Sequence, residues 1–224
     1  MYKLRKEEKE KKVSLFSPSI LYEDENLLVF DKPSGWVVND ADSTHDRDTV
    51  QKWVSKNGTF ELAKNFEKRS GIVHRLDKET SGCIIIAKDV SSFENLQHQF
   101  AERTVTKTYT ALVHGRVKLE SGEIDAPLGR LPWKRNKFGV LKSGRVAQTS
   151  YKLIQRLKNK NEEFTLLSLF PKTGRTHQIR VHLKHLGHSI VSDPLYAGRK
   201  TLRRDKEFCE RLFLHAGRTD VEKS

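Results

Sequence analysis

Short apolar runs separated by polar turns dominate the chain, and only two segments carry a helical period. Leu27, Leu28, Val29 and Phe30 form an apolar run ended by Asp31-Lys32-Pro33-Ser34-Gly35, which predicts a strand closed by a turn. Gly71-Ile72-Val73 leads into a polar loop, and residues 82–87 read as a buried strand. Ser91 followed by Glu94 fits a capping box, and Phe93, Leu96 and Phe100 share one face of the helix it would open, which runs to about Arg103. Val105, Lys107, Tyr109, Ala111 and Val113 alternate as one face of a further strand. Residues 146–155 and 163–170 read as an antiparallel pair joined by the polar turn Lys158-Asn159-Lys160-Asn161. Gly174 and Thr176 then open a helix with Ile179, Leu183 and Leu186 as its apolar stripe, stopped at Gly187. Clustered strands with few helices predict an α+β fold, a mostly antiparallel mixed sheet with flanking helices and loops.

Composition narrows the class. The 224 residues suit one principal domain, expected over residues 20–224, behind a charged arm over residues 1–19, with no separate N-terminal RNA-binding domain. Lys and Arg number 42 against 29 Asp and Glu, a net charge of +13. A surplus of that size favours polyanionic partners, because each neutralised phosphate releases condensed counterions. The two cysteines, Cys83 and Cys209, form neither a disulfide framework nor a paired-cysteine zinc motif. Neither a signal peptide nor the run of about 20 apolar residues needed to cross a membrane is visible, so the expected compartment is the cytoplasm.

Three segments carry candidate chemistry. The polar loop His74-Arg75-Leu76-Asp77-Lys78-Glu79-Thr80-Ser81-Gly82 is held between Ile72-Val73 and Ile84-Ile85-Ile86, which should anchor it at the edge of a core. An isolated loop aspartate is more often a turn former, so Asp77 earns attention from its setting. Tyr109 should point inward, either as a core tyrosine or as a ring on which an extruded base stacks. In the third segment, His177, Arg180 and Lys184 are spaced three and four apart, which stacks them along one helical face. Gly174 and the first free N–H groups of that helix could receive a phosphate, while a plain amphipathic helix with a basic solvent face is the simpler alternative. His177, His182, His185 and His188 spread around the helix with no cysteine or acidic partner nearby, so no metal site is expected. Residues 128–148 add Arg130, Lys134, Arg135, Lys137, Lys142 and Arg145, interleaved with Trp133 and Phe138 and free of acids, a mixture suited to tracking a nucleic-acid backbone.

Taken in order, these segments closely resemble the RluA-type family of RNA pseudouridine synthases from about Ile20 to Leu214. His74-Arg75-Leu76-Asp77 with Thr80-Ser81-Gly82 looks like that family's catalytic motif. Asp31-Lys32-Pro33-Ser34-Gly35, Lys107-Thr108-Tyr109, Gly144-Arg145-Val146-Ala147-Gln148-Thr149-Ser150-Tyr151, Gly174-Arg175-Thr176-His177-Gln178-Ile179-Arg180 and Asp193-Pro194-Leu195-Tyr196 match its other signature stretches. The resemblance implies that Asp77 is the nucleophile, Tyr109 the base-stacking tyrosine and Arg180 the basic residue that pairs with the aspartate. Arg75 matches the arginine that enters the gap left by a flipped nucleotide. His74, Arg175 and His177, in the same matching stretches, join Arg75, Arg130, Lys134, Arg135 and Lys137 as candidates for RNA contact.

The implied reaction detaches uracil from its ribose, turns it and rejoins it through carbon, in transfer or ribosomal RNA, with no cofactor and with the protein acting as a monomer. A base must leave the stack first, at a cost of a few kcal/mol. Two rivals remain at this level. A noncatalytic RNA-binding protein on the same scaffold would be expected to lack Asp77 or Tyr109, and both are present. A hydrolase using Ser81 or Ser34 would need a nucleophile-elbow pattern, which surrounds neither serine.

Overall fold

The structure is a computed structural model that describes residues 18–41, 48–134, 136–159 and 162–222. The arm expected over residues 1–19 therefore lies outside the described residues except for Pro18 and Ser19, and so do Arg135 and the second half of the turn expected at 158–161. The chain divides into two compact units, with the division between Gln97 and His98.

In the first unit, strands β1 (Ser19–Glu23), β2 (Leu27–Lys32) and β3 (Ser81–Ala87) pair antiparallel in the order β1-β2-β3. Strand β2 obeys the period of two strictly, burying Leu28, Phe30 and Lys32 while the residues between them are half-buried. A lysine thus occupies the third core-facing position of the strand. Ile84, Ile85, Ile86 and Ala87 of β3 are buried almost completely, and Ile72 bridges to Ile86. Helix α1 (Val50–Asn57) is capped by Thr49, whose hydroxyl accepts the Lys52 N–H at 3.0 Å, and it buries Val50 and Val54.

The division falls within helix α2 (Val90–Glu102), which buries Phe93 and Leu96 as its period predicted. Its cap corrects the expected Ser91–Glu94 box. Asp89 accepts the Ser92 N–H at 2.9 Å and the Ser92 hydroxyl at 2.7 Å, and the Phe93 N–H closes on the Asp89 carbonyl. A carboxylate two residues upstream takes the orphan donors more strongly than a serine hydroxyl can. Those bonds, led by the Ser92 N–H, hold the Asp89 carboxyl below its ordinary pKa.

The second unit is built on strands β4 (Thr106–His114), β5 (Ser121–Asp125), β8 (Gln148–Asn159), β9 (Glu162–Pro171) and β10 (Leu214–Asp220), in the antiparallel order β10-β4-β9-β8-β5. The pair expected at 146–155 and 163–170 is β8 with β9. Two short strands, β6 (Leu128–Arg130) and β7 (Phe138–Val140), form a separate hairpin whose loop carries much of the basic stretch. Helices α3 (Gln178–His185) and α4 (Arg199–Asp205) complete the described elements. Ala111, Val113, Leu167 and Leu169 from the sheet pack with Ile179 and Leu183 of α3 to make the main core. No helix among the described residues is long and apolar enough to cross a membrane.

Helix α3 departs from its expected outline. It starts at Gln178, after His177 in the left-handed region (φ 57°), so Gly174 and Thr176 precede the helix instead of opening it. The Gln178 side chain supplies the reason. Its oxygen accepts the Thr173 hydroxyl at 2.7 Å and the Arg175 N–H at 3.0 Å, while its nitrogen donates to the Gln148 carbonyl at 2.9 Å and to Thr149 Oγ1 at 3.0 Å. This buried amide holds residues 173–175 against β8 and delays the helix. The apolar stripe also ends early, since Leu186 is largely exposed.

Two glycines make the backbone of the first unit testable. Gly71 has φ +81°, and a Cβ there would lie 2.0 Å from the Ala87 carbonyl oxygen; Gly35 has φ +96° with open space around it. Gly35→Ala should therefore cost only backbone strain, about 1–2 kcal/mol. Gly71→Ala adds a clash with β3 and should cost about 3 kcal/mol or more. Urea unfolding of both variants checks the order, and equal losses would remove the clash from the account.

Candidate active site

The candidate residues fall in both units, and each group is organised by a buried cation. In the first unit, residues 73–80 connect Ile72 to β3 and carry His74, Arg75 and Asp77. Three devices fix this loop. His74 Nε2 accepts the Ile85 N–H at 2.8 Å, which ties the start of the loop to β3 and leaves the ring proton on Nδ1. Leu76 is buried, with Arg75 exposed and Asp77 half-buried on either side of it. The Thr80 N–H returns to the Asp77 carbonyl at 3.1 Å, closing a turn directly after Asp77.

That turn is gripped from the Asp31–Gly35 motif. Gly35 N–H donates to the Lys78 carbonyl at 2.8 Å, and Ser34 Oγ donates to the Glu79 carbonyl at 2.7 Å. Lys32 Nζ donates to the carbonyls of Pro33 and Trp36, both at 2.9 Å, and to that of Lys78 at 3.2 Å. Two motifs more than forty residues apart, Asp31–Gly35 and Asp77–Glu79, are therefore one clasp. Ser34, offered above as a rival nucleophile, spends its hydroxyl proton on this clasp. Burial pulls the Lys32 pKa down to about 8, against the carboxylates of Glu79, Asp77 and Asp31, which pull it up.

In the second unit, Tyr109 lies on β4 between Ala216 and Leu169 in register. It is half-buried and packs against the main core, with the inward orientation its alternation implied. Arg180 does not lie on a basic solvent face. Its side chain is fully buried, donating from Nε to Asp193 Oδ2 at 2.9 Å and from Nη2 to Asp193 Oδ1 at 2.8 Å, while Lys184 one turn on is exposed. Asp193 is equally buried and also accepts the N–H groups of Leu195 (2.8 Å) and Tyr196 (3.0 Å). A planar fork on a planar carboxylate, with Oδ1 also held by two backbone N–H groups, is the arrangement that lets such a pair survive without water.

Tyr196 joins this pair to the other candidates. The Arg180 guanidinium lies 5.3 Å and the Lys137 ammonium 5.7 Å from its ring centroid. Its hydroxyl accepts the Phe138 N–H at 3.1 Å and hydrogen-bonds His177 Nδ1 at 2.9 Å. His177 stands edge-on to both Tyr196 and Phe138, and Arg130 stacks 5.2 Å from the Phe138 ring. Lys137 also donates to the Leu195 carbonyl. Arg130, Lys137, His177 and Arg180 thus form one cationic and aromatic cluster around Tyr196. Lys134 is exposed in the hairpin loop, and Arg175 Nε donates to the Val146 carbonyl at 3.2 Å. Arg135 lies outside the described residues.

Lys32, Asp193 and Tyr196 all stand in signature stretches, but no local pattern in the sequence points to their roles. Among the described residues no three His, Cys, Asp or Glu side chains gather as a metal-binding group. His182 is fully buried, with Nδ1 against Thr149 Oγ1 at 2.9 Å and Nε2 against the Ala126 carbonyl at 3.0 Å, and burial lowers its pKa.

Comparison with known proteins fits this organisation. The family model for RNA pseudouridylate synthase matches residues 26–185, a span that includes the Asp77 loop, Tyr109 and Arg180, and the chain belongs to that family. It is 41% identical over 183 residues to an uncharacterized RNA pseudouridine synthase, YlyB, of Bacillus subtilis, covering 82% of this chain and 59% of that protein. It is 40% identical over 180 residues to ribosomal large subunit pseudouridine synthase D of Pseudomonas aeruginosa, covering 80% of this chain and 53% of the relative. The chain therefore spans a little over half the length of these relatives. Among solved structures, human RNA pseudouridylate synthase domain containing 1 superposes with a TM-score of 0.71 at 26% identity, over 90% of this chain and 77% of that one.

The buried fork should dominate local stability. Asp193→Asn leaves the Arg180 charge without its counter-ion in a dry site and should cost about 3–5 kcal/mol. Glu162→Gln breaks the exposed pair with Arg204 (2.6 Å) and should cost about 1 kcal/mol or less. Denaturant unfolding of the two variants makes the comparison, and similar losses would deny the fork its structural weight.

Proposed function

We propose that the chain isomerises uridine to pseudouridine in RNA, with Asp77 as the nucleophile. The observation that carries this reading is the clasped turn, which holds a half-buried carboxylate beside an exposed arginine at the edge of a rigid core. Membership of the RNA pseudouridylate synthase family supports it. In the reaction the bond from ribose C1′ to uracil N1 breaks and a bond from C1′ to C5 forms. The C5 proton goes to solvent and N1 gains one, so atoms and charge balance without a cofactor. Tyr109 offers its ring to the extruded base and its hydroxyl to the base edge. Arg75, exposed next to Leu76, suits the vacancy left in the stack, where it offsets part of the few kcal/mol of unstacking.

Ribosomal RNA is the substrate we favour, acting in the cytoplasm, because relatives at 38–40% identity carry the name ribosomal large subunit pseudouridine synthase D. Sequencing pseudouridine in the RNA of a deletion strain identifies the position. With that RNA labelled with tritium at uridine C5, tritium release follows the chemistry directly.

Asp77→Asn keeps the volume and loses the nucleophile, so single-turnover tritium release should fall by on the order of a thousandfold or more while RNA affinity holds. Substantial turnover in this variant would exclude the assignment. Tyr109→Phe should retain binding and slow the chemistry, whereas Tyr109→Ala should weaken both, because only alanine removes the stacking face. Normal activity in both would leave Tyr109 a core residue.

Affinity should also fall steeply with salt. Lys134, Lys142 and Arg145 are exposed in the acid-free stretch, and replacing all three with Ala should flatten the log–log slope by up to about two to three, at ~0.7–0.9 per phosphate contact. An unchanged slope means that this stretch faces away from RNA.

A further inference from the structure

We propose that helix α4 is an RNA-docking element, its exposed Arg199, Lys200 and Arg203 receiving backbone phosphates that flank the target uridine. The inference rests on the reading of RNA as the substrate and adds a contact outside the loop and the cluster described above. Four of the seven residues of α4 are Lys or Arg. Its one acid, Asp205, is turned inward and buried. Arg204 is paired with Glu162, whereas Arg199, Lys200 and Arg203 are exposed and meet no acidic side chain among the described residues.

These cations work against the helix that carries them. Arg199 and Lys200 stand in its first turn, where the helix dipole already presents positive charge. They lie four and three residues from Arg203, so the three like charges repel along one face. Gly198 offers no side chain to cap the free N–H groups, and seven residues make a marginal helix in water. Tertiary anchors hold α4 instead. Asp205 Oδ2 accepts the Ser192 N–H at 2.8 Å and lies 3.0 Å from His114 Nε2, while the Asp205 carbonyl accepts the N–H groups of Phe208 and Cys209. The core thus commits a buried carboxylate to presenting a face of like charges that helix formation itself disfavours. A polyanion fits such a face, because binding relieves the repulsion and releases condensed counterions.

Chain continuity places this face near the cluster around Tyr196. Arg199 follows Tyr196 by three residues, so their Cα atoms are at most roughly 11 Å apart. Between them the Ala197 N–H returns to the Asp193 carbonyl at 3.2 Å, which ties the approach to α4 to the partner of Arg180. A backbone that meets Lys137 and Arg130 beside Tyr196 therefore has further phosphates within reach of α4. An acidic polypeptide would satisfy the same charges, but RNA is what the neighbouring cluster is proposed to hold.

The experiment uses the full chain and the same tritium-labelled RNA. It compares the unaltered chain with a variant combining Arg199→Ala, Lys200→Ala and Arg203→Ala, and with one combining Arg199→Lys and Arg203→Lys. The alanine variant should lose roughly tenfold or more in RNA affinity, and its log–log salt slope should flatten by about two to three, at ~0.7–0.9 per phosphate contact. Its single-turnover rate at saturating RNA should stay within about twofold of the unaltered chain, because no reacting group has changed. Its thermal midpoint should hold or rise, since alanine favours the helix and the like charges are gone. The lysine variant should keep most of the affinity, because an ammonium also meets a phosphate. In the unaltered chain, bound RNA should slow acetylation of the Lys200 amine severalfold.

Unchanged affinity and slope in the alanine variant overturn the inference. So does a Lys200 amine that is acetylated equally fast with and without RNA, an arm that needs no variant to fold. A thermal midpoint that falls together with affinity assigns these residues a structural role and overturns it as well. Poly-glutamate that shields Lys200 where the RNA does not would give α4 to an acidic protein instead. Tritium release by the unaltered chain is the separate check: its absence sinks the isomerase reading and leaves α4 to be judged on affinity, whereas release beside an unaffected alanine variant sinks only the role of α4.

Discussion

A cation removed from water needs compensation from the groups around it. Lys32 in the first unit and Arg180 in the second are both fully buried, and the polar architecture around each is the answer to that demand. Lys32 is satisfied by three backbone carbonyls, so its bonds organise main chain and draw two turns together. Arg180 meets one carboxylate through Nε and Nη2 and the face of one tyrosine, so its bonds organise side chains. The chemistry of the two groups accounts for the difference. An ammonium is a compact point charge with three diverging donors, while a guanidinium is a plane with paired donors and two stacking faces.

This rigidity has a functional consequence on the proposed reading. Nucleophilic attack requires a carboxylate held to within a fraction of an ångström, yet the residues that meet RNA must remain accessible. Within seven residues the Asp77 loop meets both requirements, with His74 bonded to β3, Arg75 exposed, Leu76 buried, Asp77 half-buried and Thr80 buried. Loops of this kind carry function because the scaffold on either side is stiff. Here that stiffness comes from the isoleucines of β3 below and from the Asp31–Gly35 turn alongside.

Much of this was legible in the sequence, and the failures have identifiable causes. The strands were readable because alternation and apolar runs are local signals, and β4, β8 and β9 appear where expected. Helix ends were read less well. The Asp89 cap was missed because Ser91 and Glu94 satisfy the same pattern, and α3 starts late because Gln178 bonds across to Gln148 and Thr149, about thirty residues away. The same distance effect hid the partner of Arg180, thirteen positions on in the chain. Lys32 was readable in principle, since it continues the Leu28–Phe30 alternation, but its charge and its neighbour Pro33 favoured a turn. The site residues stood out as motifs, whereas the groups that hold them became visible only through hydrogen bonds between distant segments.

The net charge of +13 conceals a division of labour among the cations. Lys32 and Arg180 contribute to the total but are spent inside the protein. Arg130 and Lys137 stand over the rings of Phe138 and Tyr196, and Lys137 is further bonded to the Leu195 carbonyl. A long side chain held this way has already lost much of its rotamer freedom, so meeting a phosphate costs it less than it costs an unrestrained lysine, for which ordering amounts to about 0.5–1.5 kcal/mol. Exposed Lys134, Lys142 and Arg145 pay that cost in full but reach further from the surface. The first kind of cation is suited to fixing the register of a bound strand, the second to raising its local concentration by long-range attraction. On the proposed reading, aromatic anchoring would convert part of a general electrostatic attraction into a defined orientation, through Tyr196 and Phe138, the same rings that meet His177.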